Sequence, residues 1–297
     1  MLSENISLNE FDGQVTILLP VFNAEKTIAR AIESVQSQSW PNWRLLIIND
    51  GSEDASAEIA QRYLYDERIS IVNNKLNSGL VYSLNKGLDL INTRWIARFD
   101  ADDIMLNMRL QLQLIAIKRD FPAICGSAII RNNKLQKIRV QSDSQIKSAL
   151  DFYNPINHPT VILDMQQIGQ LRYPNEKCED YCFWIILAKN GLRFKNIIEP
   201  TIVYMVSPSQ KSMREKHDIP NICSDYASSK TSLESNIKHD RLRKVSHTFS
   251  QSSLRNIILE MILELLDPIY SDLSVKKLYR SRLIKSFVKR LIQSLKC

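Results

Sequence analysis

The chain has 297 residues, of which 44% are hydrophobic and 24% charged, and its net charge is +7. These values predict an ordinary soluble protein with one large domain and an appendage. No apolar run approaches the roughly 20 residues of a membrane span, and the polar start Met1–Asn5 is unlike a signal peptide, so we expect a cytoplasmic protein. The five cysteines lack the paired spacing of a zinc site, which predicts reduced thiols.

The N-terminal third alternates between apolar runs and helical patterns. The predicted strands are Gln14–Pro20, Leu45–Ile48, Ile69–Val72 and Trp95–Phe99. The predicted helices are one that follows a cap at Asn23 and carries apolar residues from Ile28 to Val35, one from Ala55 to Tyr65, and one from Leu80 to Leu90. This alternation predicts an α/β fold with a Rossmann-like, doubly wound and mostly parallel sheet.

The rest of the chain is less regular. The predicted elements are a helix near Met108–Lys118, a strand at Ile124–Ile130, a polar connection over 131–139, a strand at Val161–Leu163, a helix from Cys178 to Ala188 that Gly191 terminates, and strands near Arg193–Ile197 and Ile202–Val206. From Ser207 the sequence becomes polar and basic with helical patterns. We therefore predict a first domain over 1–206 and a C-terminal basic helical region over 207–297.

Three carboxylates follow the fourth predicted strand within four residues, namely Asp100, Asp102 and Asp103. The carboxyl end of a parallel strand is where open α/β sheets bind their ligands. Carboxylates at this spacing can hold a hard divalent cation, or one cation and a ribose. A strand end followed by a helix cap would explain the same residues. The stretch is therefore a candidate metal site with a structural alternative.

Other polar positions also have two interpretations each. Asp50 follows the second strand and can accept from a nucleobase or ribose, or simply form a turn. The backbone N–H groups of Asn77–Gly79, before a helix, can face a phosphate, although a turn or cap is the more common use. Glu179 and Asp180 can be negative charges that stabilise the first turn of a helix. Alternatively, one of them can be a general base for a sugar hydroxyl. His158 suits a structural hydrogen bond as well as a ligand role.

The order of these segments resembles the family 2 glycosyltransferases. The resemblance spans about Val15 to Val206. It is carried, in order, by Pro20-Val21-Phe22-Asn23, Asn49-Asp50-Gly51-Ser52, Asn77-Ser78-Gly79, Ser83-Leu84-Asn85-Lys86-Gly87, Arg98-Phe99-Asp100-Ala101-Asp102-Asp103-Ile104, His158-Pro159-Thr160 and Glu179-Asp180. It implies the GT-A fold and a reaction that inverts the anomeric centre without an enzyme nucleophile.

The resemblance also implies roles in a donor site. Asp50 would contact the nucleotide base, and the loop Pro20–Asn23 would line the nucleotide. Asp102 would bind the metal–diphosphate, and Asp100 would hold the ribose or a metal-bound water, which leaves Asp103 as the structural member of the three. The expected donor site contains Pro20, Val21, Phe22, Asn23, Asp50, Asn77, Gly79, Arg98, Asp100 and Asp102.

On the acceptor side the resemblance implies Asp180 as catalytic base, with Glu179 beside it. Mn²⁺ or Mg²⁺ would offset the charge that builds on the leaving diphosphate, while Asp180 takes the proton of the acceptor hydroxyl. We therefore expect a nucleotide-sugar donor, with UDP as the nucleotide. The expected acceptor is a glycan or lipid-linked glycan in surface polysaccharide, capsule or lipopolysaccharide synthesis. Asn49 departs from the aspartate that the family often has there, and an amide carries no charge.

Two alternatives remain open at this point. A sugar nucleotidyltransferase also combines an α/β nucleotide fold with metal-binding aspartates. It would need a glycine-rich, basic phosphate loop after the first strand, and Pro20-Val21-Phe22-Asn23-Ala24 contains no glycine. The second alternative is a catalytically inactive, glycosyltransferase-like partner in a membrane-bound assembly, which donor turnover would distinguish.

A basic amphipathic pattern occupies residues 276–296. Its apolar face consists of Ile284, Phe287, Val288, Leu291, Ile292 and Leu295. Lysines and arginines surround this face, so the segment could lie on an anionic membrane surface and hold the enzyme at the inner face of the cell membrane. The same face could equally pack on the first domain or on a second subunit of a homo-oligomer. No nucleic-acid partner is expected, because this segment lacks a pattern of aromatic residues interleaved with its basic ones and the sequence contains no recognised nucleic-acid-binding module.

Overall fold

The computed structural model of the protein describes residues 13–151 and 153–205. Within them one nine-stranded sheet is formed by β1 (Val15–Val21), β2 (Trp43–Asn49), β3 (Ile69–Asn73), β4 (Trp95–Arg98), β5 (Ile104–Met105), β6 (Ile124–Arg131), β7 (Lys134–Gln136), β8 (Ile162–Asp164) and β9 (Phe194–Tyr204). The predicted boundary after residue 206 and the basic pattern of residues 276–296 lie outside the described residues.

The strand order along the sheet is β3-β2-β1-β4-β8-β6-β9-β5, and β7 pairs with β6. The pairs β1–β2, β2–β3, β1–β4 and β6–β9 are parallel, whereas β8 runs antiparallel between β4 and β6. The prediction of an α/β fold built on a mostly parallel sheet is confirmed.

The helices of the described part are α1 (Ile28–Gln36), α2 (Ser56–Gln61), α3 (Leu80–Leu90), α4 (Arg109–Asp120), α5 (Asp143–Leu150), α6 (Met165–Ile168) and α7 (Glu179–Lys189). A 3-10 turn, His158–Thr160, precedes β8. Gly191 follows α7 with a φ of 77°, which is the left-handed conformation predicted for it. None of the helices described here is both long and apolar enough to cross a bilayer.

Side chains of β1 pack in two directions. Ile17 and Leu19 belong to the core that also contains Ile28 and Ile32 of α1. Leu18 between them lies so close to Gly87 of α3 that a Cβ atom there would collide with its methyl groups. Because successive side chains of a strand point to opposite faces of its sheet, α1 and α3 cover opposite faces. The doubly wound arrangement predicted from the sequence is therefore present.

Two boundaries differ from the predictions. Asn23 is not the cap of α1: its φ is 48° and its side-chain oxygen accepts the Glu53 N–H at 2.9 Å, while the helix begins after Thr27. The two strands expected near the end of the first domain are one strand, β9, which is interrupted by a change of register. Ser127 pairs with Ile197 but Ala128 pairs with Pro200, so two residues of β9 bulge out between them.

Candidate active site

A cavity of about 1160 Å³ lies at the carboxyl ends of β1 and β4. Since these strands are parallel neighbours, the segments that follow them meet at one edge of the sheet. Eight of the predicted site residues line the cavity: Pro20, Phe22, Asn23, Arg98, Asp100, Asp102, Glu179 and Asp180. The volume is above the range of about 300–1,000 Å³ typical of small-ligand pockets, which leaves room for a donor and an acceptor together.

Asp100, Asp102 and Asp103 form an acidic cluster directly after β4. One carboxylate oxygen from each lies within 4.8 Å of the others. Asp103 is fully buried and accepts the Met205 N–H at 3.0 Å, in line with the structural role expected for it. Burial, with the neighbouring charge of Asp100, raises the pKa of Asp103. Asp100 and Asp102 are partly exposed and line the cavity.

Arg98 lies beneath this cluster and is 3% exposed. Its Nη1 makes an ion pair with Oδ2 of Asp100, so the guanidinium compensates one carboxylate of the cluster. A buried cation of this kind needs such a partner. The pair holds Asp100 at the cavity, and Asp102 lines the same cavity.

The donor set of the cluster fits a hard divalent cation. All its ligand atoms are carboxylate oxygens, which Mg²⁺ and Mn²⁺ prefer over nitrogen or sulfur. The described residues show no histidine or cysteine in this cluster that would favour zinc. Asp100 and Asp102 both line the cavity whereas Asp103 is buried, so the first two are the carboxylates of the cluster that an ion in the cavity could reach.

Asp180 and Glu179 begin α7 on the same cavity. The Nδ2 group of Asn154 donates to Oδ2 of Asp180 at 2.7 Å. Burial, followed by the charge of Glu179, raises the pKa of Asp180 to about 6. A carboxylate with a pKa in this range is ionised at neutral pH and still basic enough to accept a proton from a hydroxyl.

His158 lines the cavity but already has a protein partner. Its Nε2 lies 3.0 Å from the Tyr173 hydroxyl, and its ring packs edge-on against Trp184. Burial, with the nearby cation Arg98, lowers the pKa of His158 well below its usual value. The structure therefore supports the structural interpretation of His158 as a neutral hydrogen-bonding residue.

Asp50 holds the turn before α3 and does not face the cavity. Its carboxylate accepts the N–H groups of Ser78 at 3.0 Å and Gly79 at 2.8 Å, together with the amide of Asn74 at 2.7 Å. In this structure the Gly79 N–H donates to Asp50, as in the turn alternative, and its phosphate contact stays a prediction. Neither Asp50 nor Asn77 lines the cavity, so the base contact of Asp50 stays a prediction.

Val21 is also corrected. Its side chain is 2% exposed and belongs to the core, so it cannot line the nucleotide as Pro20 and Phe22 can. The alternation of side chains along β1 explains the difference. The cavity has further walls that were not predicted, among them Lys26, Ile129, Arg131, Asn154, Ile156 and Tyr204. Of these, Asn154 had a usable signal, because an Asn before a Pro favours a side-chain-capped turn.

A mostly parallel α/β sheet with an acidic cluster after β4 and a second carboxylate pair on the same cavity is the arrangement expected of a GT-A-type glycosyltransferase. The sequence pattern of glycosyl transferase family 2 matches residues 16–188. The chain therefore belongs to this family, as its resemblance implied. The match gives no support to the sugar nucleotidyltransferase alternative.

Three known proteins illustrate the similarity. UDP-Glc:alpha-D-GlcNAc-diphosphoundecaprenol beta-1,3-glucosyltransferase WfgD of Escherichia coli is 30% identical over 182 residues, which cover 61% of this chain and 72% of that protein. TarS residues 1–349 of S. aureus in complex with UDP-GlcNAc superimposes with a TM-score of 0.60 at 15% identity, covering 84% and 71% of the two chains. In the comparison with another structure of TarS 1–349, this chain spans only 60% of the TarS chain.

The third protein is the mannosyltransferase PcManGT from Pyrobaculum calidifontis, solved in complex with GDP-Man and Mn²⁺. Its TM-score is 0.56 at 14% identity, with 93% of this chain and 86% of that chain covered. At these identities the two structural similarities establish the fold alone. They confirm the GT-A prediction.

Proposed function

We propose that the protein is an inverting glycosyltransferase that moves a sugar from a UDP-sugar to a hydroxyl of a glycan or lipid-linked glycan in surface polysaccharide synthesis. The observation that carries this proposal is that Asp102, Asp180 and Arg98 line one cavity. The E. coli relative supports the donor and acceptor classes, because its name specifies UDP-Glc and a diphosphoundecaprenol-linked acceptor.

Asp102 and Asp100 are the residues that would hold Mn²⁺ or Mg²⁺. Such an ion supplies positive charge where the leaving diphosphate becomes more negative. Arg98 adds a buried cation at the same edge of the cavity, held in place by its ion pair with Asp100. Pro20, Phe22 and Asn23 line the same cavity, where Pro20 and Phe22 offer apolar contacts to a nucleotide.

Asp180 is the proposed base. As the acceptor oxygen bonds to the anomeric carbon, the hydroxyl proton passes to the Asp180 carboxylate and the bond to the diphosphate oxygen breaks. The electron pair of that bond leaves with the diphosphate. Glu179, one residue earlier in α7, is partly exposed on the same cavity and adds negative charge beside the base.

The proposal is tested by incubating the full-length protein with Mn²⁺ and a panel of UDP-sugars and measuring release of UDP. The wild-type protein is expected to release UDP from at least one donor, slowly without acceptor. Asp102→Asn should reduce this release at least about 100-fold, the range that loss of one electrostatic contact to a leaving group typically costs. Asp89→Asn is the matched control, because Asp89 is an exposed carboxylate of α3 paired with Arg172 and does not line the cavity.

The control should retain wild-type turnover. Equal turnover in Asp102→Asn and Asp89→Asn would refute the role of Asp102. Absence of turnover with every donor, in protein whose melting curve shows cooperative unfolding, would instead favour the catalytically inactive assembly partner.

A further inference from the structure

Asn154 is the cavity residue whose contacts are most completely determined. It lies between α5 and the 3-10 turn, 26 residues before Asp180 in the sequence, yet its Nδ2 is 2.7 Å from Oδ2 of Asp180. Pro155 follows it and restricts the Asn154 backbone to extended conformations.

The orientation of the Asn154 amide is fixed by a second hydrogen bond. Its Oδ1 accepts the backbone N–H of Ile156 at 3.1 Å. An N–H group can only donate, so the oxygen of the amide has to face Ile156 and the NH₂ group has to face Asp180. The side chain of Asn154 therefore presents a donor, and no acceptor, to the carboxylate.

The loop that carries Asn154 is itself anchored. Ile156 is 4% exposed, and the Pro155 carbonyl accepts from Nδ2 of Asn196 at 3.2 Å. Asn196 is fully buried in β9. The donor of Asn154 is thus held at a fixed place by packing and by hydrogen bonds on both sides of Pro155.

We infer that Asn154 is a positioning residue for the base: its hydrogen bond to Oδ2 holds the Asp180 carboxylate in the orientation in which it receives the acceptor proton. This role of Asn154 presupposes the proposed function, in which Asp180 is the base. During transfer the acceptor hydroxyl loses its proton to the Asp180 carboxylate, its oxygen bonds to the anomeric carbon, and the carbon–oxygen bond to the diphosphate breaks. The Asn154 amide keeps its proton throughout.

The charged and titratable groups around Asp180 come from three elements. Glu179 precedes it in α7 and opposes its ionisation, whereas Arg98 of β4 favours it. Tyr173, in the segment before α7, is buried, and Asp180 is among the charges that act on it. The uncharged donors are the Tyr181 backbone N–H and the Asn154 amide, and a hydrogen bond to the charged form of a carboxylate favours that form. Removing the Asn154 donor should therefore make Asp180 easier to protonate.

The first test is an NMR titration of the full-length protein with ¹³C-labelled aspartate carboxyl groups, in which Asp180→Asn identifies the Asp180 signal. Asn154→Asp keeps the size of the side chain and the acceptor for the Ile156 N–H, but it replaces the donor with a second carboxylate. The Asp180 midpoint should then rise by about one pH unit or more, as for carboxylates that share a site. Asn154→Ala, which removes the donor without adding charge, should raise it by a smaller amount.

Asn190→Asp is the matched control. Asn190 lies at the other end of α7, where its amide donates to the Ile186 carbonyl, so the same chemical change is made without contact to Asp180. In this variant the pH midpoint of the Asp180 titration should stay at the wild-type value. An unchanged midpoint in Asn154→Asp, or an equal rise in Asn190→Asp, would overturn the inference.

The second test is the pH dependence of UDP release with Mn²⁺ and the UDP-sugar that the wild-type protein turns over. The acidic limb of kcat should move upward with the NMR midpoint in Asn154→Asp, whereas a variant that merely perturbed folding would lower kcat equally at every pH. Suppose that UDP release requires Asp180 but that the acidic limb of its pH profile is the same in Asn154→Asp as in wild type. The proposed function then stands, and the positioning role of Asn154 is overturned.

Discussion

Replacing Asp180 with Asn should make the folded protein more stable at neutral pH while it removes the proposed base. Burial raises the pKa of Asp180 to about 6, so the folded state prefers the protonated form more than the unfolded chain does. Above pH 6 the ionised carboxylate therefore costs stability. As pH falls from about 6 to about 4 that cost disappears, because both states become protonated.

The size of this stability cost follows from the two pKa values of Asp180, in the unfolded and in the folded chain. A rise in the pKa of Asp180 from 3.8 to about 6 corresponds to about 3 kcal/mol at neutral pH. The side chain keeps some contact with water at the cavity, which reduces this to about 1–2 kcal/mol. An Asn side chain has no charge to desolvate, and its oxygen can still accept from Asn154. For a domain of this size the gain amounts to a rise in Tm of about 2–8 °C.

The assay is thermal unfolding of wild type, Asp180→Asn and the exposed control Asp89→Asn between pH 4 and pH 8. The Tm difference between Asp180→Asn and wild type should be positive at pH 8 and should vanish near pH 4. Asp89→Asn should show no such dependence. A variant that is less stable than wild type at pH 8, or a difference that is constant with pH, would refute the raised pKa of Asp180.

Two further predictions concern stability. Gly51→Ala should lower the free energy of unfolding in urea by about 2–4 kcal/mol, because its φ is +67° and the new Cβ would lie 2.6 Å from the Leu76 carbonyl carbon. Gly191→Ala, with a similar φ of +77° and open space around it, should cost only about 1 kcal/mol, and equal losses would contradict the close contact at Gly51. Asp164→Ala should cost about 1–2 kcal/mol in the same assay, because its buried carboxylate caps α6 through the Gln166 N–H and pairs with the partly exposed Arg94, and no measurable loss would show that these contacts contribute little.

Much of the fold was predictable because its strands bury both faces. A run such as Thr16-Ile17-Leu18-Leu19 has no polar face, and a parallel strand covered by helices on both sides requires that pattern. α5 was missed although its capping box, Ser142 with Gln145, is visible in the sequence. The break predicted within β9 has a physical origin in the bulge before Pro200, which interrupts the pairing but not the strand.

The candidate site was predictable where it follows a strand or starts a helix. Asp100 and Asp102 end an apolar run, and Asp180 opens one, so their positions at element ends were visible in the sequence. The bond between Asn154 and Asp180 was not, because it joins a loop to the start of a helix that lies 26 residues further along the chain. The core location of Val21 likewise depends on the direction of β1, which sets its side chain toward the interior.

The hydrogen bond from Met205 to Asp103 sets a limit on how far the protein can be shortened. β9 pairs with β5 through Ile104 and Val203, and the next residues bring the Met205 N–H onto the buried carboxylate. A protein trimmed for crystallisation therefore has to retain residues through Met205. Ending the chain a few residues earlier would remove the hydrogen-bond donor of Asp103. A resulting loss of activity would then be mistaken for the loss of a catalytic residue.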